Sequence, residues 1–197
     1  MKLETKLKSE DLFDSLEDES EQPVERKIEV ERTPTLEKLT KKFDRQLKRN
    51  WGGNFKNQSP ATRHYNHALK NLSTGFKHNL SAQDVEQFSI LLIQYDDLMS
   101  DWRNKISEHA GIYLSAMVTA SDDNDFVIHT KQLQTPVDLI GFENTKNVTV
   151  NGNAGDHIGC KMKDGKLLVR GNVKSIGNTN AYGPLENGYV EVTGDVG

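Results

Sequence analysis

The chain contains one cysteine, Cys160, in 197 residues. That count excludes an internal disulfide framework and a cysteine-ligated iron–sulfur cluster, and it fits a reducing compartment. The N-terminal stretch MKLETKLKSEDLFDSL has no apolar core of the kind a secretory signal needs, so a cytoplasmic location is expected. No run of apolar residues approaches the length of a membrane span. Apolar residues make up only 35 % of the chain and the mean hydropathy is -0.69, so part of the sequence is expected to lie outside any core.

What charge there is falls in blocks. The net charge is -4, yet residues 10–31 hold ten acids against two bases, and residues 32–56 hold eight bases against two acids. Such a pair of blocks suits two partners or a chain that folds back on itself. Residues 1–33 have too little apolar surface to offset their ordering entropy and are read as a disordered acidic tail.

Residues 34–120 read as a helical region. Thr33 is a cap candidate and Pro34 suits the first helical position. Leu36, Leu39, Phe43, Leu47 and Trp51 then recur at helical spacing, with Gly52-Gly53 as the stop. A second helix starts at Ser59-Pro60 and carries Ala61, Tyr65, Ala68, Leu69, Leu72 and Phe76 on one side. A third and longest begins at Ser81, with Asp84 completing a capping box. Its periodic face runs through Val85, Phe88, Leu92, Tyr95, Met99, Trp102 and Ile106, and it either continues through HAGIYLSAMVTA or breaks at Gly111.

After TASDDNDF the period changes from 3.6 to 2. Residues 121–136 read as a linker with a first strand, FVIHT, and PVDLIGF opens the next run. Three pieces then align: NVTVNGNAG from Asn147, KLLVRGNVK from Lys166 and YVEVTGDVG from Tyr189. Val148, Leu167 and Val190 form one apolar column, and Val150, Val169 and Val192 a second. Thr149, Leu168 and Glu191 face outward. Self-similarity at this interval signals stacked coils. Gly152-Asn153, Gly171-Asn172 and Gly194-Asp195 make one set of corners, where glycine tolerates positive φ and Asx side chains bond to backbone. Gly159 and Gly177, each after an isoleucine, make another. Gly165 and Gly188 turn the chain into the next strand, and Gly155 completes the first corner. The expected fold is α+β: an N-terminal helical region followed by a short right-handed single-stranded parallel β-helix over residues 137–197. The sequence stops in mid-corner, so the last coil is expected to continue in a longer solenoid or to be covered by another copy or a partner.

The stretch VNGNAGDHIGCKMKDGKLLVRGN resembles the GXGXG repeat domain. That domain forms the C-terminal β-helix of the glutamate synthase large subunit and also occurs in one of the chains of formylmethanofuran dehydrogenase. The likeness covers residues 137–197. The second coil departs from it, with GNVKSIG for GNAGDHIG, Lys174 near the expected glycine, and a longer excursion, NTNAYGPLENG. In that family the glycines build scaffold while chemistry resides in other domains, so the resemblance implies architecture and carries over no catalytic residue.

Each candidate for chemistry has a structural reading beside it. GNAGDHIG leads into a strand and not into a helix, so it lacks the context of a phosphate loop. Asp97 and Asp101 sit one helical turn apart in YDDLMSDW, without a second aspartate helix to complete a Mg²⁺ site. His64 and His67, with His78 beyond, lack further zinc ligands and read as surface or half-buried residues. Cys160, placed on a strand, lacks a positioned base. Lys38, Lys41, Lys42, Arg45, Lys48 and Arg49 on the basic helix 35–51 are candidate polyanion contacts. No catalytic residue, metal site or cofactor is assigned. The leading expectation is a non-catalytic assembly scaffold that binds itself as a homo-oligomer, or a protein partner that covers the β-helix end. An accessory subunit of an oxidoreductase or amidotransferase complex comes second, and nucleic-acid binding through the basic helix third.

Overall fold

A computed structural model describes residues 32–48, 59–76, 80–101, 105–177 and 183–197. The acidic tail up to Glu31, Arg49, Trp51 with its Gly52-Gly53 stop, His78, Trp102 and the centre of the second-coil excursion lie outside the described residues.

Helix α1, Pro34–Leu47, starts where the sequence places it: the Leu36 N–H donates to the Thr33 hydroxyl at 3.1 Å. Helix α2 spans Pro60–Phe76 and buries Ala61, Tyr65, Ala68, Leu72 and Phe76. Helix α3, Ala82–Leu91, begins with the expected Ser81–Asp84 capping box. The expected long third helix is nevertheless divided. Leu92–Tyr95 tightens into a 3₁₀ turn, α4 covers only Asp96–Met99, and α5 restarts at Ile106 and runs to Ala120. Two local features account for the division. The Asp96 carboxylate accepts the N–H groups of Gln134 and Thr135 at 2.8 and 3.0 Å, which ties this segment to a loop. Lys105, at φ 51°, then redirects the chain into α5. Gly111 is no break: it lies inside α5, where a methyl group would overlap the carbonyl of Asp138.

Strands β1 (Asp125–His129), β2 (Asn147–Asn151), β3 (Lys166–Arg170) and β4 (Tyr189–Val192) form one parallel sheet in sequence order. The register joins Phe126 to Val148, Val148 to Leu167 and Leu167 to Val190, so the apolar columns of the sequence are real neighbours. A second line of parallel bridges runs Val137, Ala154, Val173, Val196. A third joins Ile158 to Ile176 and is extended by Gly159 N–H to Ile140 carbonyl at 2.9 Å. The first three passes return to the same three lines and the fourth to the first two of them, and β1 adds a pass ahead of residue 137. The molecule is therefore of mixed class, helices followed by a four-stranded parallel sheet, compatible with α+β. Cys160 is buried in a turn, not on a strand, because the chain bends at Gly159 (φ 69°) just before it.

One apolar core runs through both parts. Phe43, Phe88, Tyr95 and Tyr113 pack ring against ring with centroids 5.1–5.6 Å apart. Tyr65 of α2 meets Phe142 of the first pass edge-on at 5.6 Å. Among the described residues, no helix is long and apolar enough to cross a membrane.

Candidate functional site

The basic face of α1 is partly committed to the fold. Lys38 Nζ donates to the Gly75 carbonyl at 2.6 Å and Lys42 Nζ to the Asn71 carbonyl at 3.0 Å. Both carbonyls belong to the last turn and a half of α2, where the helix dipole is negative, and that of Gly75 is among the last four, which lack intrahelical N–H donors. Both ammonium groups also lie over the Phe76 ring, at 4.7 and 5.9 Å. Burial, followed by the like charges of Lys38 and Arg45, lowers the Lys42 pKa. Lys41 stands 3.8 Å from Glu37 in an exposed pair. Of the six candidate polyanion contacts, two thus close the end of α2, and Arg49 lies outside the described residues. Arg45 and Lys48 remain on the face of α1 with Lys41.

His64 is not a surface residue. It is 8 % exposed and its ring stacks on that of His109 of α5, with centroids 4.4 Å apart and planes 17° from parallel. Desolvation, then the charge field of His109, lowers the His64 pKa to about 3. Burial likewise lowers that of His109 to about 4. The rings are neutral near pH 7 and serve the α2–α5 contact. Among the described residues, no three His, Cys, Asp or Glu side chains gather as a metal site would need. In the YDDLMSDW stretch, Asp96, and not Asp97, carries the structural load, through its two loop N–H groups.

The corner residues act by stacking more than by unusual backbone angles. Gly152 does have positive φ, at 128°. Gly171 and Gly194 do not; a methyl group on either would overlap the backbone of the pass beneath, Gly152 and Gly171 respectively. The Asx residues form a ladder: Asn153 Oδ1 accepts the Asn172 N–H at 2.9 Å, and Asn172 Oδ1 accepts the Asp195 N–H at 3.0 Å. Gly155 makes room for the Asp138 carboxylate, which accepts the Asp156 N–H at 2.7 Å. Gly165 and Gly188 turn into β3 and β4 with φ 76° and 90°, and Gly177 matches Gly159 one pass on.

The two ends of the sheet differ. On the outer edge of β1, the Ser89 hydroxyl of α3 accepts the His129 N–H at 2.9 Å. On α5, Ser107 accepts the Asp138 N–H at 2.9 Å, and Ser115 accepts those of Gly141 and Phe142 at 3.0 and 3.1 Å. These hydroxyls take the place of a preceding pass. Nothing in the sequence periodicity pointed to them, because a serine on an apolar helix face has no pattern of its own. At the β4 end no element plays this part among the described residues. Val196 is 51 % exposed, against 3 % for Val173 beneath it, and Tyr189 is 57 % exposed. Val190 and Val192 are only partly buried, although their partners Leu167 and Val169 are fully so.

Comparison with protein-family models, with curated proteins and with solved structures returns no match to this chain.

Proposed function

We propose that the chain is a non-catalytic assembly scaffold: a short parallel β-helix of GXGXG type, closed at its first pass by helices and docking a protein at its last. The observation that carries this reading is the contrast between strand columns buried in three passes and the fourth pass, where Val190 and Val192 are only partly buried and Val196 is exposed. Unpaired backbone groups on a sheet edge add to the drive for association. The occupant proposed is a second copy. End-to-end repetition would need two open ends, and α3 occupies the outer edge of β1. Two copies therefore meet last pass to last pass about a two-fold axis, which closes the assembly at a dimer. No observation favours an oxidoreductase or amidotransferase partner, and the internal use of Lys38 and Lys42 weakens the polyanion reading.

Light scattering coupled to size-exclusion chromatography tests this. The wild-type chain is expected to be a dimer at concentrations above a micromolar-range Kd. Tyr189→Lys with Val196→Lys, both at exposed positions, is expected to yield a folded monomer. A wild type that stays monomeric to about 0.1 mM, well above such a Kd, would refute self-assembly.

A further inference from the structure

We infer that the cleft at the ends of β1, β2 and β3 is a binding site for the phosphate group of a small molecule. The cleft encloses about 370 Å³ and has no carboxylate in its lining. Lys131, two residues past β1, and Arg170, the last residue of β3, stand on either side of Asn151 and Gly152. Strands two apart in a sheet lie about 10 Å from each other, so the two long side chains flank a gap that one phosphate can bridge. Among the described residues neither Lys131 nor Arg170 has an ion-pair partner. Arginine supplies a planar fork and lysine a point charge, a combination suited to a tetrahedral oxyanion.

A second observation is independent of charge. Thr130, which also lines the cleft, is 2 % exposed, and its hydroxyl has no hydrogen-bond partner among the described residues. Buried hydroxyls in native structures are ordinarily satisfied, and an orphan calls for a missing partner. The Thr130 hydroxyl oxygen lies beside Gly152: a Cβ there would fall 2.6 Å from it and 2.4 Å from the Lys131 backbone nitrogen. Glycine at 152 thus lets the Lys131 backbone pass close by, and Asn151 and Asn153 also line the cleft. The backbone here also serves the stack: the Asn151 carbonyl accepts the Thr130 and Lys131 N–H groups, the Gly152 N–H donates to the Arg170 carbonyl, and Asn153 Oδ1 accepts the Asn172 N–H.

The test is an amide-resolved NMR titration of the full chain at constant ionic strength, with inorganic phosphate, glycerol phosphate and acetate as probes and chloride as control. Saturable shifts are expected at residues 130–133, 151–153 and 170–171 with phosphate and glycerol phosphate, at a Kd of about 1 mM or tighter. Lys131→Gln with Arg170→Gln is expected to weaken binding by about tenfold or more. Thr130→Val is expected to weaken it several-fold; if that variant does not fold, the double variant at the two exposed cations still decides. Tighter binding of glycerol phosphate than of inorganic phosphate supports the small-molecule source. Equal shifts with chloride, or shifts that survive the double variant, would overturn the site. Shifts at the same amides that instead strengthen with the length of an added oligonucleotide would overturn the small-molecule assignment.

Discussion

The stacked pair His64–His109 makes the fold sensitive to mild acid, and the sign can be worked out. Both folded pKa values, about 3 and about 4, lie below the ordinary 6.5. In the unfolded chain each ring binds a proton near pH 6.5; in the folded chain it does so only several units lower. The unfolded state therefore binds more protons throughout this window, and stability falls as pH falls. Between about pH 7.5 and pH 5 each ring costs about 2 kcal/mol on this linkage, or about 4 kcal/mol for two. Screening by water at the ring edges brings the expected loss to about 2–4 kcal/mol, a large share of the ~5–15 kcal/mol that holds a domain together. Asp138 opposes this trend: burial raises its pKa, so it gains protons on the folded side, but in the carboxylate range at the lower end of the scan. Urea denaturation at a series of pH values reads the effect as a falling midpoint at constant slope. His64→Phe with His109→Phe keeps two flat rings in contact and removes both titrations, so its midpoint should vary far less over the same range. The pH slope, not the absolute stability, is the diagnostic quantity. An unchanged slope in the double variant would refute the assignment.

Three further outcomes follow from the geometry of the stack. Gly171→Ala places a methyl against the Gly152 carbonyl and is expected to cost about 2–4 kcal/mol in thermal or urea unfolding; a loss under about 0.5 kcal/mol would contradict the close stacking. Ser115→Ala removes the acceptor for the Gly141 and Phe142 N–H groups. It should cost about 2–3 kcal/mol, with faster hydrogen exchange at those two amides, whereas Ser115→Thr is expected to retain most of the stability. In native-state hydrogen exchange, the amides of β4 are expected to open at lower free energy than those of β2, because only β3 covers them. Equal protection along all four strands in a demonstrably monomeric sample would contradict an open last pass.

The columns and corners were legible in the sequence because both obey a period. Val148, Leu167 and Val190 align by inspection, and the register confirms them as neighbours. The glycines were found for a reason only partly right. Gly152 has the positive φ expected of a corner, while Gly171 and Gly194 are demanded by the backbone of the pass beneath. Sequence reports that a glycine is needed, not which of two physical causes needs it. The breaks in the third helix were not legible. Val85 to Ile106 keeps a periodic apolar face through the 3₁₀ turn and the redirection at Lys105, so periodicity alone joins what the backbone divides. His64 was misplaced for a related reason: the burial of a single histidine depends on what faces it, and its partner His109 is 45 positions away on another helix.

Ser89, Ser107 and Ser115 explain why helices precede the sheet at all. A parallel stack presents a row of backbone groups on its first pass, and each left unpaired away from water costs about as much as a lost hydrogen bond. An apolar helix face cannot satisfy them, and an extra strand would only move the row outward. A hydroxyl on an otherwise apolar face solves both needs: its O–H donates to a helix or loop carbonyl, as Ser89 does to Glu86 and Ser107 to Pro136, and its oxygen accepts an N–H from the stack. Three helical serines so placed turn α3 and α5 into the preceding pass that the sheet lacks. The same reasoning applies at the other end, where Asp195 extends the Asx ladder by one rung and offers its carboxylate as the next acceptor. A cap for that end has to supply N–H or O–H donors in register with β4 and Asp195 together with apolar cover for Val190, Val192 and Val196. An apolar surface without donors meets only half of that requirement, so binding there is expected to select strand-like partners over generally hydrophobic ones.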